Sequence, residues 1–124
     1  MTIKLGLQIP NFSYGTGVAE LYPTVIAQAQ EADSAGFDSV FVMDHFYQLP
    51  GLGTPDQPML EAYTALGGLA TATEHVQLGT LVTGNTYRNP TLLAKAITTL
   101  DVMSQGRAVL GLGHRAGPGV VAVP

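Results

Sequence analysis

The chain has 124 residues, of which 46% are hydrophobic and 11% charged, and its formal net charge is −4. This length is enough for one domain with a buried core, and the composition excludes a disordered chain. An acidic balance with five scattered basic residues argues against a surface that binds nucleic acid or anionic membranes. Cysteine is absent, which excludes disulfides and thiolate metal sites. The sequence shows neither a basic leader nor an apolar run of about 20 residues, so we expect a soluble, cytoplasmic protein.

The first 43 residues predict two strands with a helix between them. An apolar run at residues 3–9 predicts a strand that ends at Pro10. Over residues 21–35, apolar residues recur at helical spacing on one face: Leu21, Val25, Ala29 and Ala32. Gly36 is typical of a helix C-terminus, because glycine tolerates the left-handed conformation found there. A nearly continuous apolar run at residues 39–43 predicts the second strand.

The same alternation continues to residue 111. A loop rich in proline and glycine covers residues 49–58, and an alanine-rich helix is predicted over residues 60–71. The third strand is predicted at residues 76–82. Asn89 followed by Pro90 is a strong helix-start signal, and this helix is expected to run to Met103 and end at Gly106. Residues 107–111 are the predicted fourth strand.

The resulting order, β-α-β-α-β-α-β, predicts an α/β fold with a parallel sheet. Strands that are continuous apolar runs are typical of parallel sheets covered by helices. Two architectures have this pattern, a doubly wound open sheet and part of a closed barrel. The spacing of elements does not decide between them.

Asp44-His45-Phe46 is the first candidate site, because it directly follows the second predicted strand. Ligands of parallel α/β folds bind at the carboxyl ends of the strands. A histidine beside a carboxylate can donate or accept a proton near neutral pH. The alternative interpretation is a capping aspartate and a solvated histidine in a turn.

The segment from Thr80 to Gly84 ends the third strand at the same edge, where its threonines and glycine could approach a ligand. A strand end with ordinary turn residues is the alternative. Arg88 could hold an anion or pair with an acidic side chain, and we expect Asn89 to be a helix cap. His75 precedes the third strand and therefore belongs to the opposite end of the sheet. No acidic or histidine pair has metal-ligand spacing on a predicted helix, so no metal site is predicted.

Glycines at positions 111, 113 and 117 resemble a dinucleotide-binding fingerprint, but the spacing is G-x-G-x-x-x-G. The helix, strand and acidic residue that should follow such a motif are not found. Phosphate binding here is therefore disfavoured.

Six short motifs occur in order along the chain: Lys4-Leu5-Gly6-Leu7, Ala35-Gly36-Phe37-Asp38-Ser39, Val42-Met43-Asp44-His45-Phe46, Leu78-Gly79-Thr80-Leu81-Val82, Tyr87-Arg88-Asn89-Pro90, and Gly106-Arg107-Ala108-Val109-Leu110-Gly111-Leu112-Gly113. This ordered set resembles the luciferase-like monooxygenase superfamily, especially actinobacterial members that use coenzyme F420. The resemblance spans residues 3–113, about nine tenths of the chain.

The resemblance implies the N-terminal half of a (β/α)₈ TIM barrel, with a flavin or deazaflavin ring over the carboxyl ends of the strands. It implies that Asp44 and His45 lie beside the ring, with His45 as an acid–base or substrate-polarising residue. Leu81-Val82 matches a bulge where F420-dependent members often carry a non-proline cis peptide against the ring. The expected cofactor is coenzyme F420, with FMN as second choice. The residues expected to bind it are Asp44, Thr80, Leu81, Val82 and Gly113.

The resemblance ends at Gly113. Residues 1–113 are therefore expected to form a partial barrel domain, and residues 114–124 a divergent, irregular tail. We expect that an altered reading frame replaced the family's sequence after Gly113, giving a truncated chain. A genuine short protein with a divergent end is the alternative.

Three functional interpretations follow. The first is an oxidoreductase that transfers a hydride to or from a small organic substrate, or a monooxygenase acting on one, incomplete and inactive as this chain. The second is a non-enzymatic remnant, or a half-barrel that pairs with a second copy as a homodimer. The third is a small nucleotide-binding α/β domain.

Overall fold

A computed structural model of the chain describes residues 3–113. The predicted irregular tail, residues 114–124, lies outside the described residues. Within the described part, none of the helices combines the length and the apolar character needed to cross a lipid bilayer.

The described residues form six short strands and three helices. In chain order they are β1 (Gly6–Ile9), α1 (Val18–Ser34), β2 (Ser39–Val42), α2 (Ala62–Ala72), β3 (Gln77–Thr80), β4 (Thr83–Gly84), α3 (Pro90–Met103), β5 (Ala108–Val109) and β6 (Leu112–Gly113).

The main sheet contains β1, β2, β3 and β5, parallel and in sequence order. Leu7 pairs with Val40, and Val40 pairs with Leu78. Because side chains alternate between the faces of a strand, these three residues share one face of the sheet. That face and all three helices meet in a single core of buried residues, which includes Ile9, Val25, Ala29, Val40, Val42, Leu66, Leu69, Leu78 and Leu100.

This arrangement decides between the two architectures that the sequence left open. A doubly wound sheet has helices on both faces and a point where the strand order reverses. Here the order runs without reversal, and the helices form one layer on one face. The predicted fold class is confirmed: the chain is an α/β half-barrel of the (β/α)₈ kind.

The opposite face of the sheet corresponds to the barrel interior, and Phe41 lies at its centre. A Cβ atom added to Gly6 or Gly79 would lie 3.5 or 3.4 Å from the Phe41 ring, so the ring lies across both glycines. At Gly79 the same Cβ would also lie 2.4 Å from the carbonyl oxygen of Val109. A larger residue at position 79 would therefore push β5 away from β3.

The predicted third and fourth strands are each shorter than expected, and each is followed by a second short strand. The run at 76–82 leaves the main sheet after Thr80, and the chain pairs again only at β4. The run at 107–111 pairs with β3 only through Ala108 and Val109, and its continuation pairs with β4 as β6. A strand prediction from apolar character cannot detect this division, since the residues between the two ladders are also apolar.

The helix boundaries agree better with the sequence. α1 begins at Val18 instead of residue 21, three residues before the predicted start, and its first turn is exposed. Gly36 has a φ of +83°, and the N–H of Phe37 donates to the carbonyl of Ala32, which is the predicted glycine-terminated helix end. Asn89 accepts a hydrogen bond from the N–H of Thr91, which confirms it as the N-cap of α3.

Two charged side chains fasten the amino-terminal end of the sheet. Asp33, at the end of α1, accepts hydrogen bonds from the backbone N–H groups of Glu74, His75 and Val76. His75 therefore lies at this end, as predicted. Arg107 donates from its guanidinium to oxygens at the ends of α2 and α3 and just before β3: the carbonyls of Ala70, Thr73, Val76 and Ser104, and the hydroxyl of Thr73.

The Asp33 cluster predicts a loss of stability in acid. Burial raises the pKa of the Asp33 carboxyl, but the N–H donors of Glu74, Val76 and His75 lower it by more, so its net pKa is below the ordinary value. A carboxyl whose pKa is lower in the folded state stabilises the fold above its unfolded pKa of about 3.9. That contribution is lost as the pH falls through the folded-state pKa.

We expect Asp33→Asn to lower the free energy of unfolding at pH 7 by about 1–3 kcal/mol, because the N–H donors lose a charged acceptor. The difference from the unchanged chain should shrink below about pH 4, where the carboxyl itself is protonated. Urea unfolding at several pH values measures both effects. Glu31→Gln removes an exposed carboxylate from the same helix and should have little effect. An equal loss in both variants would refute the role given to Asp33.

Candidate functional site

The carboxyl ends of β2 and β3 bring Asp44 close to β4. Asp44 follows β2 after one intervening residue, Met43, and only 5% of its surface is exposed. Its Oδ2 accepts a 3.0 Å hydrogen bond from the backbone N–H of Gly84 in β4. The carboxylate thus joins two parts of the chain that lie 40 residues apart.

Arg88 makes a bidentate ion pair with Asp44. Its Nη1 lies 2.6 Å from Oδ2 and its Nη2 lies 2.7 Å from Oδ1. Nη2 also donates to Glu61, the N-cap of α2. The guanidinium carbon lies 4.9 Å from the centre of the Tyr63 ring, in a cation–π contact. Of the sequence-based alternatives for Arg88, the structure shows pairing with acidic side chains.

These contacts shift the pKa values of Arg88 and Glu61. Hydrogen bonding to Asp44 raises the pKa of the Arg88 guanidinium against an opposing effect of burial. Burial raises the pKa of the Glu61 carboxyl, but the hydrogen bonds from Arg88 and the N–H of Thr64 lower it by more. The net pKa of Glu61 is therefore below its ordinary value. Glu61 and Arg88 are therefore both ionised throughout the neutral range.

A chain of hydroxyl groups extends this network beneath the strand ends. The hydroxyl oxygens of Tyr63 and Thr83 lie 2.7 Å apart, and Thr83 also shares a hydrogen bond with the hydroxyl of Thr80. Both threonines are buried, with 1% and 0% of their surfaces exposed. The structure thus places the predicted residue Thr80 under the site, where its hydroxyl supports Thr83.

Leu81 and Val82 lie between β3 and β4 and form the exposed surface of this edge. Their peptide bond is cis, as the resemblance implied. Their exposures are 51% and 42%, while Thr80 and Thr83 on either side are buried. The N–H of Leu81 donates to the carbonyl of Val42, and the Leu81 carbonyl accepts a hydrogen bond from the Gln8 side chain. We call this exposed pair, Leu81 and Val82, the apolar platform.

Gly113 lies directly against the apolar platform. A Cβ atom at this position would lie 2.1 Å from Cγ2 of Val82, so any larger residue must displace that side chain. Thr83 donates its N–H to the Gly111 carbonyl, and Asn85 donates its N–H to the Gly113 carbonyl. The sequence signal at these glycines is thus matched by a packing requirement.

His45 and Phe46 follow Asp44 at the same edge. His45 is partly exposed, and Phe46 is 49% exposed. The Phe46 ring lies 4.7 Å from that of Tyr87, measured between centroids. Tyr87 in turn covers Gly84, where an added Cβ would lie 2.7 Å from the ring.

The structure thus gathers the predicted residues Asp44, Thr80, Leu81, Val82 and Gly113 at one edge of the half-barrel, in two layers. Asp44 and Thr80 lie in the buried layer, and the apolar platform lies on the surface. Their roles toward a cofactor stay predictions. Three residues at this edge were not predicted from the sequence: Gln8, Glu61 and Tyr63. Opposite charges at Asp44 and Arg88, both at the carboxyl ends of strands, were the one signal of the buried pair.

Comparison with known proteins agrees with this architecture. The model of the family described as luciferase-like monooxygenase matches residues 3–122. The chain belongs to this family. Among curated luciferase-like relatives, an F420-dependent glucose-6-phosphate dehydrogenase of Amycolatopsis mediterranei is 35% identical over 100 residues. The match includes 80% of this chain and 29% of that enzyme, so the chain spans less than a third of its relative's length.

Two solved structures of luciferase-like enzymes resemble the half-barrel. The oxygenating constituent of 3,6-diketocamphane monooxygenase from Pseudomonas putida, in complex with FMN, has a TM-score of 0.75 and 25% identity, covering 95% of this chain and 31% of its own. The coenzyme F420-dependent tetrahydromethanopterin reductase of Methanopyrus kandleri has a TM-score of 0.67 and 25% identity, covering 90% and 27%. Both confirm the barrel fold of the luciferase-like family.

The contact between Gly113 and Val82 is open to a direct test. We expect Gly113→Ala to destabilise the fold by about 1–3 kcal/mol, because the new methyl group overlaps the Val82 side chain. Adding Val82→Ala should recover most of the loss, since the smaller side chain leaves room for the methyl group. Thermal unfolding of the two single variants and the double variant gives the coupling energy.

Gly111→Ala is the matched control for that cycle. A Cβ there would lie 3.3 Å from the Thr80 carbonyl oxygen and 3.5 Å from Val82, which requires a smaller adjustment. Additive effects of Gly113→Ala and Val82→Ala would contradict the proposed packing.

Proposed function

We propose that the chain supplies the ring-binding half of an oxidoreductase that uses coenzyme F420 or FMN to act on a small organic substrate. The observation that carries this proposal is the apolar platform. Two apolar side chains are held exposed by a buried polar network at the carboxyl edge of the sheet, the edge at which His45 follows Asp44. Parallel α/β barrels bind their ligands at this edge.

The residues present fit a flavin-type ring. Such a ring is flat and apolar on its faces, and Leu81 and Val82 offer an apolar surface that is otherwise costly to leave in water. Gly113, without a side chain, lets Val82 lie flat against the backbone of β6. The charged groups below the platform, Asp44, Arg88 and Glu61, are paired with one another.

The cofactor, when bound, would supply the hydride or oxygen chemistry, and the protein would orient it and exclude competing reactions. His45 would hold or release a proton at an imidazole nitrogen on the substrate side of the platform. Asp44 would keep the backbone next to His45 in place through Gly84 and Arg88. Phe46 and Tyr87 would form an aromatic wall beside the reacting groups.

Coenzyme F420 is our first choice and FMN the second. The Asp-His pair after the second strand and the bulge at the apolar platform favour F420, as do relatives named for F420-dependent reactions. Monooxygenation with FMN is the second candidate, favoured by the similarity to an FMN-bound monooxygenase. We also retain a cytoplasmic location as part of the proposal.

Complete barrels of this kind hold a cofactor phosphate in loops after strands 7 and 8, whereas residues 3–113 form the first half of such a barrel. We propose that turnover needs a second half-barrel beside residues 3–113, which a second copy of the chain could supply in a homodimer. Ring contact at the apolar platform does not depend on that second half-barrel. Lumiflavin, the flavin ring without its phosphate-bearing tail, is consequently the right probe for this half of the site.

A cleft of about 810 Å³ between β1 and α1 is the competing location for a ligand. It lies on the helix side of β1 and is lined by residues such as Leu7, Tyr14 and Phe37. Neither His45 nor the apolar platform borders it. In a closed barrel this side of β1 would pack against the neighbouring strand and helix, so we do not assign the cofactor to it.

We expect lumiflavin to bind the chain saturably, and Val82→Asp to weaken that binding about tenfold or more, because a charge placed against the ring face must be desolvated. Fluorescence titration measures the dissociation constants, and titrations with FMN and F420 compare the two ring types. Val102→Asp is the matched control, since Val102 is 79% exposed on α3. Equal affinity in both variants, or no saturable binding by the unchanged chain, would overturn the proposal.

A further inference from the structure

The pair of Asp44 and Arg88 has contacts that set it apart from reactive groups. Both oxygens of Asp44 accept hydrogen bonds from Arg88, and one accepts from Gly84 as well. The side chains are 4% and 14% exposed. A carboxylate held in this way would have to leave a bidentate ion pair before it could accept a proton from a substrate.

The terminal nitrogens of Arg88 are also occupied by contacts within the protein. Its two terminal nitrogens contact Asp44 and Glu61, and the flat face of the guanidinium lies on the Tyr63 ring. An anionic group of a ligand would have to displace one of these carboxylates to reach it. The arrangement is therefore that of an internal support.

The support extends to both ends of β4. Asp44 holds Gly84 through its N–H, and Tyr63, on which Arg88 rests, holds Thr83 through its hydroxyl. Thr83 and Gly84 directly follow the apolar platform in the chain. Fixing these two residues fixes the position from which Val82 projects.

We infer that Arg88 is a positioning residue, which sets the apolar platform through Asp44–Gly84 on one side and Tyr63–Thr83 on the other. Its purpose, holding a ring-binding surface, rests on the proposed function. The mechanical part of the inference concerns the chain alone and can be tested without any ligand.

The geometry also requires arginine specifically. A guanidinium reaches both oxygens of Asp44 with parallel N–H groups, contacts Glu61 and stacks on Tyr63 at the same time. A lysine at this position would keep the charge but make only point contacts. Arg88→Lys should therefore restore part of the effect of Arg88→Gln, and not all of it.

Hydrogen exchange on the full 124-residue chain, followed residue by residue by NMR, tests the mechanical part. We expect the Gly84 amide to exchange about tenfold faster or more in Arg88→Gln, because its acceptor loses the partner that holds it. Amides of β1 and β2 should change much less. Lys95→Gln, which removes a positive charge from the exposed side of α3, should leave Gly84 unchanged.

Tyr63→Phe is the second variant, for the case in which Arg88→Gln does not fold. It keeps the aromatic ring under the guanidinium and removes only the hydroxyl that contacts Thr83. Faster exchange confined to residues 83 and 84 is expected. Unchanged exchange at Gly84 in a folded Arg88→Gln chain, or the same acceleration at every amide, would overturn the inference.

Lumiflavin titration separates positioning from general stabilisation. Arg88→Gln should weaken lumiflavin binding about tenfold, whereas Asp33→Asn, which loosens the opposite end of the sheet, should not. Equal weakening of lumiflavin binding in both variants would show that Arg88 acts only through general stability, which would overturn the inference. If the unchanged chain does not bind lumiflavin, the proposed function fails, and the exchange experiment still decides the role of Arg88.

Discussion

The ion pair between Asp44 and Arg88 is the constraint on which the site depends. It joins Asp44, two residues after β2, to Arg88, the residue before the N-cap of α3, 44 positions apart in the chain. A buried pair of this kind contributes less net stability than its short distances suggest, because both ions lose their hydration. What it provides is a fixed geometry, since the bidentate contact, the Gly84 N–H and the Tyr63 ring are satisfied together in one arrangement.

The two ends of the sheet have different roles. At the amino-terminal end, Asp33 and Arg107 form hydrogen bonds with backbone groups just before β3. At the carboxyl end, the buried network leaves Leu81 and Val82 exposed. This division matches the general separation of stability and ligand binding between the two ends of barrel strands. The same half-barrel therefore offers a rigid base and one apolar surface suited to a flat ring.

Local signals made much of the fold predictable. The Asn89-Pro90 start of α3 and the glycine after α1 depend on a few adjacent residues, so the sequence could indicate them. The division of the third strand could not be predicted, because the pairing of Thr83 with Leu112 depends on residues 29 positions apart. In the site, Asp44, Leu81 and Val82 came from motifs. Glu61 and Tyr63 carry no motif, and only the packing of α2 brings them to Arg88.

NMR of the ¹⁵N-labelled chain during a lumiflavin titration tests the account most directly, because it locates the ring as well as detecting it. We expect the largest changes in amide chemical shift at Leu81, Val82 and Gly84, with smaller changes at His45 and Gly113. Shift changes concentrated at Leu7, Tyr14 and Phe37, in the cleft between β1 and α1, would contradict it. A titration in which no amide chemical shift changes would also contradict it.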